Sequence, residues 1–150
     1  MAVGTYATQA EMVARYGTEE LVQATNLEID NTGAIVTAVL DAALDEANSL
    51  ADSYVQAKYT LPLGSVSPAL IGQACALARY LLWKNRASDR VFAGYESAIS
   101  WLKDVAKGVV SLGPTATEDA PTAAVGPTYS ESDVDPTNTL SNLYDYTNPS

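Results

Sequence analysis

Between Val36 and Ala57 the apolar residues Leu40, Ala43, Ala47, Leu50 and Tyr54 follow one another at alternating gaps of four and three without a miss. No strand presents that period; it is one stripe along an α-helix. A helix from about residue 35 to 58 with so long a stripe needs other helices to cover it. The sequence supplies them. Ser67 and Pro68 stand as N-cap and first helical residue of a second helix, expected over 68–86, whose apolar positions Leu70, Ile71, Ala74, Leu77, Ala78, Leu81 and Leu82 cover much of its circumference. Ser88 or Asp89 opens a third, expected over 89–107, with Val91, Phe92, Tyr95, Ala98, Ile99, Leu102 and Ala106 along it and Gly108 as its stop. Upstream, Thr8 with Glu11 reads as a capping box, and Thr18 followed by Glu19 and Glu20 starts a further short helix. The expected fold is therefore all-α: a small bundle of three longer helices with two short N-terminal ones.

The joint Lys58–Pro68, KYTLPLGSVSP, carries no chemistry. Pro62 and Pro68 keep the residues before them out of helix, and Gly64 permits a reversal, so the segment is extended and turned. Leu61, Leu63 and Val66 are placed to pin it to the bundle, which fixes the angle between the helices on either side.

From Pro114 the helical period disappears and Pro, Thr, Ser, Asp and Asn dominate. Charge divides at the same place. The chain carries 18 acids and 8 bases for a net charge of -10, yet residues 114–150 hold six of the acids and no base. The expected organisation is a helical domain over 1–113 and an acidic, extended C-terminal arm over 114–150. Leu140, Leu143, Tyr144 and Tyr146 are the apolar anchors by which such an arm would hold a partner.

Composition removes most catalytic chemistry. Histidine is absent and Cys75 is the single cysteine, which excludes imidazole catalysis, histidine metal sites and an internal disulfide. Phosphate-binding glycine loops and paired CxxC motifs are missing, and neither a cofactor nor an enzymatic activity is expected. No run of about 18 apolar residues and no basic-then-apolar leader occurs, so a soluble chain without a membrane partner is expected. The acidic balance disfavours a grip on phosphate backbones while leaving passage of DNA alongside the protein open.

Three groups of side chains remain as candidates. Asp41, Asp45 and Asp52 fall on the side of the long helix opposite its stripe, as a solvated face or as the lining of a DNA passage. A carboxylate set binding a hard cation is the rival reading, and it lacks a partner motif. Arg79, Lys84, Arg86 and Arg90 cluster at the turn before the last helix, either as a contact for phosphate or as cations suited to a helix end; Arg86 and Arg90 are candidates for the intermediate reading, a subunit contact. Trp101, at the edge of its stripe, is either a lid on the core or an interface anchor. Cys75, in the most apolar helix, reads as a buried structural thiol.

The order YATQAEMVARYGTEELVQAT, GAIVTAVLDAALDEANSLADSYVQAKYTLPL, PALIGQACALARYLLW and YESAISWLKDVAKGVVSLG resembles the small head-tail connector proteins of Mu-like prophages, from about Tyr6 to Leu112. DSYVQAKYTLPL, Asp52 to Leu63, is its most specific part. The resemblance implies an all-helical adaptor subunit without catalytic residues, forming a homo-oligomeric ring of twelve copies below the portal protein. That ring would sit in the neck of a virion assembled in the bacterial cytoplasm, bridging portal to a stopper or tail-completion protein around the DNA exit channel. A tail-completion or neck assembly protein at another position is the alternative within the binding class; a carboxylate-metal hydrolase is the enzymatic one.

Overall fold

The computed structural model describes residues 4–28 and 32–113, and among them the chain is helical without a strand. Two short helices, α1 (Gln9–Tyr16) and α2 (Thr18–Thr25), precede three longer ones, α3 (Thr37–Val55), α4 (Pro68–Trp83) and α5 (Asp89–Ala106). The expected arm over 114–150, including Leu140, Leu143, Tyr144 and Tyr146, lies outside the described residues.

The caps act where the sequence put them. Thr8 accepts the Glu11 N–H through its hydroxyl, Ser67 that of Leu70 with Pro68 just inside the helix, and Ser88 that of Val91. Gly17, at φ 85°, ends α1 and starts α2 in one residue, a conformation open to glycine and costly for others. The long helix is shorter than its pattern at both ends. Ile35 lies outside the helix, Val36 is extended, and Val36 donates its N–H to the Thr25 hydroxyl at 3.0 Å, tying the start of α3 to the end of α2. After Val55 the chain leaves the helix through turns, and α4 likewise gives way to a short 3-10 segment over Lys84–Arg86.

The stripe on α3 also drifts. Leu40, Ala43 and Ala47 are buried as expected, but toward the C-terminus Ala51 and Val55 are buried while Leu50 and Tyr54 are half-covered and Ala57 is exposed. A strict four-three alternation has a period of 3.5, and a straight helix of 3.6 rotates away from it by about 20° per heptad. The core therefore collects 40, 44, 47, 51 and 55.

Helix α4 lies against all four other helices. Its buried residues Leu70, Ala74, Cys75, Leu77, Ala78 and Leu82 meet Ala43, Ala47 and Ala51 of α3 and Ala98 and Leu102 of α5 in one cluster. Alanine at these crossings brings helix axes close, since the axial distance is set by the side chains at the contact. Leu61, Leu63 and Val66 of the joint pack onto this core, with a cis peptide between Leu61 and Pro62. Tyr59 is fully buried there, and its hydroxyl accepts the N–H of Leu112 at 3.0 Å, so the segment leaving α5 folds back onto the joint.

Candidate interaction surfaces

The acidic stripe divides into two chemically different parts. Asp41 and Asp45 are exposed. Asp52 is half-buried: its carboxylate accepts the Gly4 N–H at 2.7 Å and the Tyr6 hydroxyl. The expected open face of three aspartates is thus corrected to two, because the extended segment before α1 crosses α3 at Asp52. One turn earlier Asn48, buried at 4% exposure, serves the same segment. Its Oδ1 accepts the N–H groups of Tyr6 (3.1 Å) and Ala7 (2.8 Å), and its Nδ2 donates to the Ala7 carbonyl at 3.1 Å. A polar residue beside an apolar stripe signals such a clasp; its partner, a turnless stretch far away in sequence, carries no signal. The Tyr6 phenol is pushed above its ordinary range by burial first, then by its hydrogen bond to Asp52 and that carboxylate's charge. Among the described residues no group of three or more Cys, Asp or Glu side chains is placed to hold a metal ion.

The four bases around the end of α4 also separate. Arg79 is held by Glu20 of α2 through two parallel bonds, Nε to Oε1 at 2.5 Å and Nη2 to Oε2 at 2.9 Å, and its guanidinium lies 4.5 Å over the Tyr16 ring. Trp83 donates its indole N–H to the same Glu20 at 3.2 Å. Lys84 reaches Glu28 at 3.3 Å in the open. Arg86 and Arg90 are exposed at the corner between α4 and α5. Arg79 thus ties α2 to α4, Lys84 makes an exposed surface pair just beyond both helices, and Arg86 and Arg90 face outward.

Trp101 is half-buried against the core, as a lid would be. The more open aromatic is Phe92, exposed to 44%, which joins Tyr80 and Tyr95; the two tyrosine rings stack at 4.2 Å between centroids. The pattern predicts Phe92 on the covered stripe, but the buried line of α5 runs through Val91, Ala98, Leu102 and Val105 instead. Cys75 is fully buried, and burial raises its thiol to about 11.

A groove of about 420 Å³ opens where α2, the N-terminal half of α3 and the end of α4 meet. Its lining is mainly apolar, with Ala24, Ala38, Ala42 and Ala43 beside Val39, Leu81 and Leu82, and Glu28, Glu46 and Lys84 supply its charges. The sequence gives no sign of it, since alanines on a helix face read as ordinary packing.

Against known proteins, the family profile described as Bacteriophage Mu, Gp36 matches residues 6–130. The chain belongs to the bacteriophage Mu Gp36 family. The Mu-like prophage FluMu protein gp36 of Haemophilus influenzae is 37% identical over 108 residues, which cover 72% of this chain and 75% of that protein. Gene product J of Escherichia phage Mu is 31% identical over 108 residues, 72% of this chain and 76% of its own length. The match to the Gp36 family contains every helix, the Asn48–Asp52 clasp, the groove and the Arg79–Glu20 tie, and stops short of Leu140.

Proposed function

We propose that this Gp36-family protein is a structural head-tail connector. It forms a ring of twelve copies below the portal at the capsid vertex and bridges portal to stopper or tail-completion protein around the DNA exit channel. The observation that carries the reading is the family match across the whole described bundle, with relatives from phage Mu and a Mu-like prophage. The fold supports it in two ways. The clasped N-terminal segment, the joint packed on the core and the Tyr59–Leu112 bond tie the bundle together at several points, as a rigid wedge between neighbouring subunits requires. Asp41 and Asp45 give one side of α3 a negative surface, along which a phosphate backbone slides without being gripped.

The role is one of assembly and not of catalysis. Asp52 is tied to Tyr6 and Gly4, which leaves only Asp41 and Asp45 open on that side of α3, and among the described residues no three acidic or thiol side chains converge on a metal position. Cryo-electron microscopy of the virion neck tests the proposal. A twelvefold helical ring directly beneath the portal is the expected result. Density for this chain lower in the neck would make it a tail-completion protein, and its absence from the virion would overturn both readings.

A further inference from the structure

The helix α5 ends in an arrangement that places one apolar side chain in water. Gly108 adopts φ 76°, its N–H reaches the Val105 carbonyl at 2.9 Å, and the Val109 N–H reaches the Asp104 carbonyl at 2.8 Å. This is the Schellman pattern, in which the residue after the glycine commonly packs back on the helix against an apolar partner three or four positions before the cap. Here the residue supplying the carbonyl is Asp104, and Val109 stands 73% exposed, the most open large apolar side chain among the described residues. The backbone cap fixes it there.

Its surroundings are basic. Lys103 and Lys107 are exposed on the last turn and just beyond it, and the Lys58 chain runs beside Gly108, with Cε 3.3 Å from where a Cβ would stand. Asp104, half-buried, is the one carboxylate on the last two turns of α5. About 20 Å away along α3, at the opposite end of the bundle, the alanine-floored groove presents the complementary chemistry. Glu28, which pairs with Lys84 at 3.3 Å, and Glu46 line it, Asp41 and Asp45 follow on the adjoining stripe, and Lys84 is the one base among its described lining residues.

We propose that these two ends meet between copies: Val109 of one subunit seats in the Ala38–Ala42–Ala43 groove of the next, with Lys103 and Lys107 against Glu28 and Glu46. The two patches differ and lie at different ends, so the contact is heterologous and propagates head to tail, the kind of interface from which rings close. An apolar tip in an alanine floor supplies the burial, and the charges set register and orientation. The inference deepens the ring reading by naming its contact, while the contact itself is a property of the purified full-length chain.

The test uses two single-cysteine additions at exposed positions, Ala42→Cys and Val109→Cys, with buried Cys75 left in place, and a short bis-maleimide. Mixing the two variants gives a covalent dimer, whereas either variant alone, like the unaltered protein, gives none. Lys103→Glu with Lys107→Glu on the Val109→Cys chain lowers the dimer yield roughly tenfold at low salt, and Glu28→Lys with Glu46→Lys on the other chain restores it. Circular dichroism confirms that each variant remains helical. Absence of dimer in the mixture at the highest soluble concentration, equal dimer from one variant alone, or a yield indifferent to charge reversal would each overturn the proposal. A neck map that places the protein elsewhere, alongside a positive cross-link, removes the connector reading and leaves this contact standing.

Discussion

Asn48 is a single side chain that satisfies two N–H groups and one carbonyl of a segment that makes no helix of its own. Leaving buried backbone groups without partners is costlier than losing an average hydrogen bond. Asn48→Ala is therefore expected to lower unfolding free energy by about 3 kcal/mol in a denaturant titration, and Asn48→Asp, which turns a buried anionic oxygen toward the Ala7 carbonyl, by at least as much. Tyr6 adds a pH dependence. Because its folded phenol is held above the ordinary value of 10.0, the unfolded chain releases its proton first as pH rises. The contribution is whole below pH 10 and is lost progressively above it, so stability falls on the alkaline side. Tyr6→Phe flattens that part of the profile in urea titrations across pH, at the cost of the bond to Asp52. The same clasp separates the aspartates: Asp52→Lys is expected to loosen the fold, whereas Asp41→Lys and Asp45→Lys leave thermal unfolding within about 0.5 kcal/mol of the parent.

At the scale of elements, the crossings of α4 with α3 and α5 are set by alanine, and a larger residue there forces the axes apart. Ala47→Leu or Ala74→Leu is expected to cost about 1–3 kcal/mol by overpacking, while Leu50→Ala, on the half-covered edge of the same helix, costs less. Gly108→Ala tests the α5 cap. The positive φ and the nearby Lys58 chain both oppose a Cβ, so a loss of about 1 kcal/mol is expected. These elements were largely legible in the sequence, because capping residues at Thr8, Ser67 and Ser88 and the period of each stripe are local signals. What local signals miss is where two stripes face each other. A 3.5-residue alternation on α3 and a real period of 3.6 diverge by the last turns, which is why Ala51 and Val55, not Leu50 and Tyr54, complete the core. The clasp, the groove and the exposure of Phe92 and Val109 belong to the same class: each depends on residues from separate elements, and none leaves a repeat or motif along the chain.

For the whole molecule, the segment 108–113 closes the bundle by returning Leu112 to Tyr59. A chain ending at Gly113 is expected to retain the helical circular dichroism spectrum and cooperative unfolding of these five helices; loss of either would show that residues beyond 113 are part of the folding unit. For the proposed connector role the relevant readout is DNA. If Asp41 and Asp45 line the exit channel, Asp41→Lys with Asp45→Lys retards ejection or retention without disturbing the isolated chain, as measured by DNA release from purified virions. Unchanged release would argue that Asp41 and Asp45 face away from the DNA.

Cys75 turns the packing of α4 into a stopwatch. It is the chain's one thiol, it sits at zero exposure among residues from several helices, and its proton is held to about 11. A thiol reagent can therefore reach it only when α4 parts from its neighbours, and the labelling rate reports how often that happens. Timing the reaction on free subunits and again on whatever assembly they enter would measure, at a native residue, how firmly that assembly clamps the bundle shut.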